Sequence, residues 1–157
     1  MLKMREVTFK NSILIPAVLK LINEGHTVTL PLKGFSMRPF LEDGRDKALL
    51  AKVGKLRVGD PVLAIIDHQR YVLHRIVKIE GDNVTLLGDG NLHPEHCKTS
   101  DIEASVIGFY RKGRTTLDPI AGWKWKTYST VWMRLRPIRR WLLAFYRRVW
   151  IPIFGYA

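Results

Sequence analysis

Between residues 26 and 112 the chain is a series of short β-type segments separated by turn residues, and this pattern most limits how it can fold. HTVTLPL (26–32) alternates apolar and polar side chains, and much of YVLHRIVKIE (71–80) does the same. Glycine and aspartate separate the segments, and GDN at residues 81–83 is typical of a hairpin turn. The region therefore predicts a compact, mainly antiparallel β domain.

Helical patterns flank this region on both sides. The spacing of apolar residues predicts a short helix over Pro16 to Glu24, with the proline in the first turn and Gly25 at the end. Beyond residue 115 the chain combines Trp, Leu and Arg in a helical pattern. The segment between its two prolines predicts a basic amphipathic helix. Its apolar stripe contains Ile138, Trp141, Leu142, Phe145 and Val149.

The charge is distributed unevenly along the chain. Residues 1–110 hold 15 Lys and Arg against 13 Asp and Glu, a net +2, whereas residues 111–157 hold 11 against one, a net +10. All five tryptophans also lie beyond Ala121. We therefore divide the chain into a β domain with its N-terminal helix, residues 1–114, and a basic, aromatic-rich helical tail, residues 115–157.

Cysteine content and hydropathy exclude several classes of protein. Cys97 is the only cysteine, so no disulfide can form within the chain. The first 20 residues have no continuous apolar segment of the signal-peptide kind. A transmembrane helix needs about 20 consecutive apolar residues, and the sequence contains no such run.

Four short motifs follow one another through the β region. GFSMRP (34–39) places a serine on a predicted bend, and RVGDPV (57–62) opens an apolar strand. His74 directly precedes Arg75 in the next strand, and GDGN follows at residues 88–91. Each motif alone is typical of a turn or an ordinary strand. The ordered set is far more specific.

Together, these motifs resemble those of the signal peptidase I family and of the related SOS-repressor-type autoproteases. The resemblance covers residues 27–109 and implies an antiparallel β domain of signal peptidase type. It implies a serine endopeptidase with Ser36 as nucleophile and His74 as general base. Most bacterial members have lysine at the second position, and histidine is typical of the endoplasmic reticulum and archaeal branch. Because the pKa of histidine is about 6.5, its imidazole needs little tuning to accept a serine proton.

Two carboxylates could orient the imidazole of His74. Asp89 belongs to the GDGN motif, and Glu95 stands six residues further on, where the histidine branch has an aspartate. Either side chain could hold the required tautomer and stabilise the imidazolium. The sequence slightly favours Asp89, because it matches its motif without substitution, and Glu95 remains the alternative.

Gly34 is a departure from most of the family. Typical members have a serine there, whose hydroxyl donates to the oxyanion, whereas the autoprotease branch has glycine. The resemblance therefore implies that the backbone N–H of Ser36 is the main oxyanion donor. Gly34 also allows a sharp bend and a close approach of the backbone to a substrate.

The segment HPEHC, residues 93–97, contains three possible metal ligands, His93, His96 and Cys97. No second Cys/His pair occurs at a structural-zinc spacing, and adjacent His and Cys side chains fit one ion poorly. We expect no metal and no other cofactor, and we predict a solvated loop here.

The basic tail has three interpretations. It could bind nucleic acid through arginines and aromatics, bind an anionic membrane surface, or pack its apolar stripe on the β domain. The density of aromatic side chains favours the membrane surface, with residues 123–157 in contact and nucleic acid not expected. This predicts peripheral membrane association, on the cytoplasmic side since no export signal is found.

The expected function is therefore a signal peptidase-like endopeptidase that cleaves a leader or signal-type peptide, or a preprotein, after small residues. The preference for small residues is carried over from the resemblance. The alternative is a non-catalytic module that retains the fold and binds membranes or nucleic acid. Gly34 and the open choice of acid favour this alternative, whereas Ser36, His74 and the GDGN motif oppose it.

Overall fold

A mainly antiparallel β fold follows a helix and precedes several helical segments. The computed structural model describes residues 11–157, with side-chain burial from residue 13 onward. The mainly β fold class, with a short N-terminal helix and a helical C-terminal tail, is thereby confirmed.

Eight strands form one sheet in the described part of the chain. They are β1 (Val28–Pro31), β2 (Lys47–Ala51), β3 (Pro61–Ile66), β4 (Arg70–Glu80), β5 (Asn83–Leu87), β6 (Glu95–Lys98), β7 (Ile102–Tyr110) and β8 (Leu117–Pro119). The order across the sheet is β1-β2-β7-β3-β4-β5-β6, and β8 pairs with β7. Neighbouring strands pair in antiparallel fashion throughout.

One strand lies where a loop was predicted. In the HPEHC segment, residues 95–98 form β6, which pairs with β5 so that Cys97 lies opposite Val84. Cys97 packs against the buried side chains of the neighbouring strands. The prediction of a solvated loop was therefore wrong for the second half of this segment, because the free edge of β5 provides hydrogen-bond partners.

The helices are α1 (Asn11–Asn23), α2 (Trp123–Arg134), α3 (Arg139–Phe145) and α4 (Ile151–Phe154). Short 3₁₀ turns span Thr99–Asp101 and Arg136–Ile138, and a π turn, Tyr146–Trp150, joins α3 to α4. Pro16 lies inside α1, so its predicted place in the first turn was wrong. Ile15 and Ile22 are buried on either side of the exposed proline, and their burial offsets the lost backbone hydrogen bond.

Two clusters of buried side chains form the core. The larger one joins α1, the serine-bearing loop, β2, β7 and α2, and Leu50 and Phe109 are fully buried within it. The smaller one is built on β3, β4 and β5 around Ile76 and Leu86. Burial of each such side chain contributes about 1.5–3 kcal/mol. The two clusters fix the positions of the serine-bearing loop and of strands β3 and β4, which carry the sequence motifs.

The first part of the basic tail belongs to the larger cluster. Trp125 of α2 is only 4% exposed, and its ring lies 5.2 Å from the rings of both Phe40 and Phe109. Strand β8 adds Leu117 to Pro119 to the edge of β7. Residues 117–132 therefore contribute a strand and buried side chains to the β region.

The second part of the tail presents apolar side chains to solvent. We call this set the tail surface; it contains Ile138, Trp141, Phe145, Val149, Ile153, Phe154 and Tyr156, all exposed. Four of the five residues of the predicted stripe belong to it, and Trp141 is 73% exposed. No helix within residues 11–157 is long and apolar enough to cross a bilayer.

Candidate active site

The loop between β1 and β2 holds Ser36 on a bend that is anchored on both sides. Gly34 has φ of +82°, a left-handed conformation that strains other residues, and its N–H donates to Oδ1 of Asp43 at 2.7 Å. On the other side, Met37 is buried in the larger core cluster. The backbone geometry explains why glycine occupies position 34, where a serine would be strained. Ser36 itself is half-buried.

His74 lies on β4, opposite Val62 of β3, and is 3% exposed. Its Nδ1 is 2.8 Å from Oε2 of Glu95, the first residue of β6. The contact is close, but it lacks hydrogen-bond geometry, and neither atom has a hydrogen-bond partner among the described residues. Burial lowers the pKa of His74, and the adjacent carboxylate of Glu95 raises it in part. With a proton on Nδ1, next to this carboxylate, the lone pair of Nε2 would be available to accept a proton.

Gly88 and Gly90 bring the serine loop against His74. The N–H of Gly90 donates to the carbonyl oxygen of Ser36 at 2.7 Å. A Cβ atom at Gly88 would lie 2.5 Å from that oxygen and 3.0 Å from Nε2 of His74, and one at Gly90 would lie 2.4 Å from the carbonyl oxygen of Phe35. The GDGN motif is therefore where the serine loop and the imidazole meet.

Among the described residues, the hydroxyl of Ser36 makes no hydrogen bond to the imidazole. Nε2 of His74 and the carbonyl oxygen of Ser36 nevertheless lie 3.0 and 2.5 Å from one point, the position that a Cβ atom of Gly88 would occupy. Catalytic hydrogen bonds are often long or poorly aligned in enzymes without substrate and tighten when substrate binds. The backbone of Ser36 and the buried imidazole of His74 therefore lie close together beside Gly88, which is compatible with the roles of nucleophile and base.

Asp89 binds Arg75 and not His74. Nε and Nη2 of Arg75 donate to its two oxygens at 2.8 and 2.7 Å, and both side chains are fully buried. The hydroxyl of Tyr128 donates to Oδ2 at 2.7 Å. Of the two carboxylates that the sequence leaves open, Glu95 contacts the imidazole, so the geometry favours Glu95 over the slightly preferred Asp89.

Five residues that support the site were not predicted from the sequence: Tyr128, Arg70, Ser129, Trp132 and Trp125. Arg70 binds the second oxygen of Glu95, and its charge lowers the pKa of His74. From α2, Ser129 accepts a hydrogen bond from Arg75, and Nε1 of Trp132 donates to the carbonyl oxygen of Asp89 at 3.1 Å. The guanidinium of Arg75 lies 4.4 Å from the ring centroid of Trp125. The tail helix therefore braces the GDGN motif, which no local sequence signal indicates.

Two strand edges flank Ser36. On one side of β4, residues 70–75 pair with β3, but on the other side the pairing with β5 begins only at Arg75. Strand β1 pairs with β2 and with no other described strand. Next to Ser36 lies a recess of about 20 Å³, lined by Gly34 and Leu73 among others. A second recess of about 100 Å³ lies along Leu30, Tyr71 and Leu73.

The possible metal ligands of the HPEHC segment are not gathered in one place. Within residues 11–157, no group of three His, Cys, Asp or Glu side chains is arranged to hold a metal ion. His96 lies beside the hydroxyl of Thr85, with Nδ1 at 3.3 Å. Burial raises the pKa of the Cys97 thiol to about 11, so the thiol stays protonated and is a poor ligand.

Comparison with models of known protein families gives no match, and a search of curated proteins gives none either. The motifs and the geometry around Ser36 and His74 therefore carry the functional assignment.

Proposed function

We propose that this chain is a serine endopeptidase of the signal peptidase I type, with Ser36 as nucleophile, His74 as general base and Glu95 as the orienting carboxylate. One observation carries the proposal. The backbone of Ser36 and Nε2 of His74 both lie beside Gly88, while Nδ1 of His74 lies 2.8 Å from Glu95. This is the arrangement that nucleophilic catalysis by serine needs: a nucleophile, a base, and a group that orients the base.

The proposed reaction proceeds through an acyl-enzyme. Nε2 of His74 accepts the proton of Ser36 as the Oγ attacks the substrate carbonyl, and Glu95 stabilises the resulting imidazolium. The backbone N–H of Ser36 donates to the oxyanion. The imidazolium then protonates the leaving amine, and the C-terminal fragment departs. Water, deprotonated by His74, hydrolyses the ester and restores the serine.

The substrate would be an extended peptide between β1 and β4. Both strands have a free edge beside Ser36, so a peptide could pair with their backbones and place alternate side chains in pockets. The recess of about 20 Å³ next to Ser36 has room for little more than a methyl group. Its size supports cleavage after small residues of a leader or signal-type peptide.

We further propose that the tail surface contacts an anionic membrane, which would make the protein peripherally membrane-associated. Trp141 and Phe154 are largely exposed, at 73% and 68%. Arg140, Arg147 and Arg148 are exposed on the same helical segment. Exposed aromatics next to arginines are suited to lipid head groups and the interface.

The first experiment compares purified wild type with Ser36→Ala, each incubated with a diverse peptide pool and anionic vesicles. We expect cleavage after small residues by the wild type alone, read by mass spectrometry. His74→Gln serves as a second inactive variant. Equal cleavage by wild type and Ser36→Ala would contradict the proposal. Silence from both, with vesicle binding intact, would favour the non-catalytic module.

A further inference from the structure

A cationic recess lies on the β1–β2–β7 part of the sheet, apart from the candidate active site. It has a volume of about 300 Å³. We call it the cationic recess; its lining residues are Thr29, Arg45, Lys47, Tyr110, Gly113, Arg114 and Thr115. Lys47 and Tyr110 are in register on β2 and β7, and their chain neighbours Ala48 and Phe109 are buried in the core. The recess therefore opens on the outer face of the sheet.

The turn that follows β7 completes the recess. Lys112 and Gly113 have φ of +56° and +68°, and the N–H of Arg114 donates to the carbonyl oxygen of Arg111 at 3.0 Å. This tight reversal brings Arg114 and Thr115 back beside the strand that carries Tyr110. The turn thus adds a guanidinium and a hydroxyl to a surface that already holds Lys47.

The positive charge of the recess is not neutralised within it. No acidic side chain is among its lining residues. Asp46 next to it is fully buried and bound to Arg45 at 2.7 Å. Lys47 makes no ion pair with any residue in the described part of the chain, and Arg114 reaches Asp118 only at 3.9 Å, while Lys124 lies 2.9 Å from that carboxylate. Lys47 and Arg114 therefore keep donors for an external anion.

We propose that the cationic recess binds a phosphate group, carried either by an anionic phospholipid or by a small soluble phosphoester. Arginine and lysine form charge-assisted hydrogen bonds to phosphate, and arginine does so with two donors at once. Thr29, Tyr110 and Thr115 each carry a hydroxyl that can donate a further hydrogen bond. A phosphate has enough oxygens to accept these bonds, whereas a carboxylate has only two oxygens.

The position of the recess favours a lipid as the source of the phosphate. Nη1 of Arg45 donates to the carbonyl oxygen of Ala157 at 2.8 Å, so Ala157, the residue after the tail surface, lies at the rim of the recess. Tyr156, the preceding residue, is exposed and belongs to the tail surface. A head group in the recess would therefore lie close to side chains suited to the bilayer interface.

The test uses the Ser36→Ala protein, so that it does not depend on peptidase activity. Inorganic phosphate and glycerol 3-phosphate are titrated by calorimetry, and phosphatidylcholine vesicles with and without phosphatidic acid are compared by sedimentation. Lys47→Gln and Arg114→Gln remove one donor set each. Lys55→Gln and Arg57→Gln are matched controls, because both side chains are exposed and outside the recess.

We expect each recess variant to bind phosphate about tenfold more weakly, because each loses a charge-assisted contact, and the controls to match the parent. Weakening with vesicles alone assigns a lipid head group, and weakening with the soluble probes alone assigns a soluble phosphoester. Equal weakening in all four variants would mean that net charge alone causes the effect, and this would overturn the proposal. Absence of binding by the parent to every phosphate probe would overturn it as well.

Discussion

At the scale of single residues, opposing influences act on the imidazole of His74. Burial has the largest effect and lowers its pKa, the carboxylate of Glu95 raises it, and the guanidinium of Arg70 lowers it. A general base must be neutral to accept a proton, so in the proposed mechanism the pKa of His74 would set the acidic limb of the pH–rate profile. Arg70 and Glu95 form an ion pair with each other, and the charge of each can be removed separately by mutation.

Glu95→Gln should shift the acidic limb of kcat/KM to lower pH, because it removes the charge that raises the pKa of His74. It should also lower kcat by about 10²–10⁴-fold, because the imidazolium loses its partner and the tautomer its orientation. Arg70→Gln should shift the same limb to higher pH with a much smaller change in kcat. The pH–rate profiles of both variants test this. Shifts in the same direction would contradict it.

Asp89→Asn should destabilise the fold by about 3–5 kcal/mol, because it leaves the fully buried guanidinium of Arg75 without a counter-charge. Urea unfolding of the variant and the parent measures the difference. Asp82→Asn, at an exposed position, is the matched control and should stay within about 0.5 kcal/mol. A stable Asp89→Asn protein that has only lost activity would instead assign Asp89 to catalysis.

The residues of the site could be predicted to different degrees. Ser36 and His74 follow from the ordered motifs, because the chemistry needs those residue types near each other. The choice between Asp89 and Glu95 depends on which carboxylate the buried Arg75 takes up. That competition is decided by three-dimensional packing, including side chains of α2, and by the pairing of β6 with β5.

At the scale of elements, strands with alternating apolar and polar side chains were predictable, and two short strands without that pattern were not. β1 lies within the alternating segment 26–32, and β4 covers the segment 71–80 and begins one residue before it. β6 contains one apolar side chain, Cys97, and β8 has only three residues, so neither gives a periodic signal. Both form because β5 and β7 offer them free edges. The burial of α2 against the β region was not predictable either, since tryptophans alternating with lysines are compatible with burial and with exposure.

The two parts of the tail should differ in their effect on stability. Trp125→Ala should cost about 3–5 kcal/mol, because it empties a site among the core rings of Phe40 and Phe109. Trp141→Ala should cost less than about 0.5 kcal/mol, because that side chain is already in water. Both free energies of unfolding come from urea titrations. Equal losses would mean that the tail surface is packed in solution.

At the scale of the whole molecule, the proposed membrane association would combine the apolar tail surface with the basic charge. The net charge of +12 would attract the protein to anionic bilayers at a distance, and salt would screen this attraction. The apolar side chains act only on contact. The two contributions can therefore be separated by salt and by mutation.

The double variant Trp141→Ser, Phe145→Ser should bind anionic vesicles at least about tenfold more weakly than the parent, because it removes two interfacial aromatics without changing charge. Val131→Ser, on exposed α2 surface, is the control and should bind normally. Sedimentation at low and high salt measures both. Unchanged binding by the double variant would assign the interaction to charge alone.

The tight clearance at Gly88 and Gly90 also restricts how such a sequence can diverge. Any side chain at these positions would push the serine loop or the imidazole aside, whatever its polarity. No other residue is as small as glycine, so neither position has a substitute of equal size. In distant homologues of this fold and site, the glycine spacing should therefore persist after the surrounding residues have changed beyond recognition.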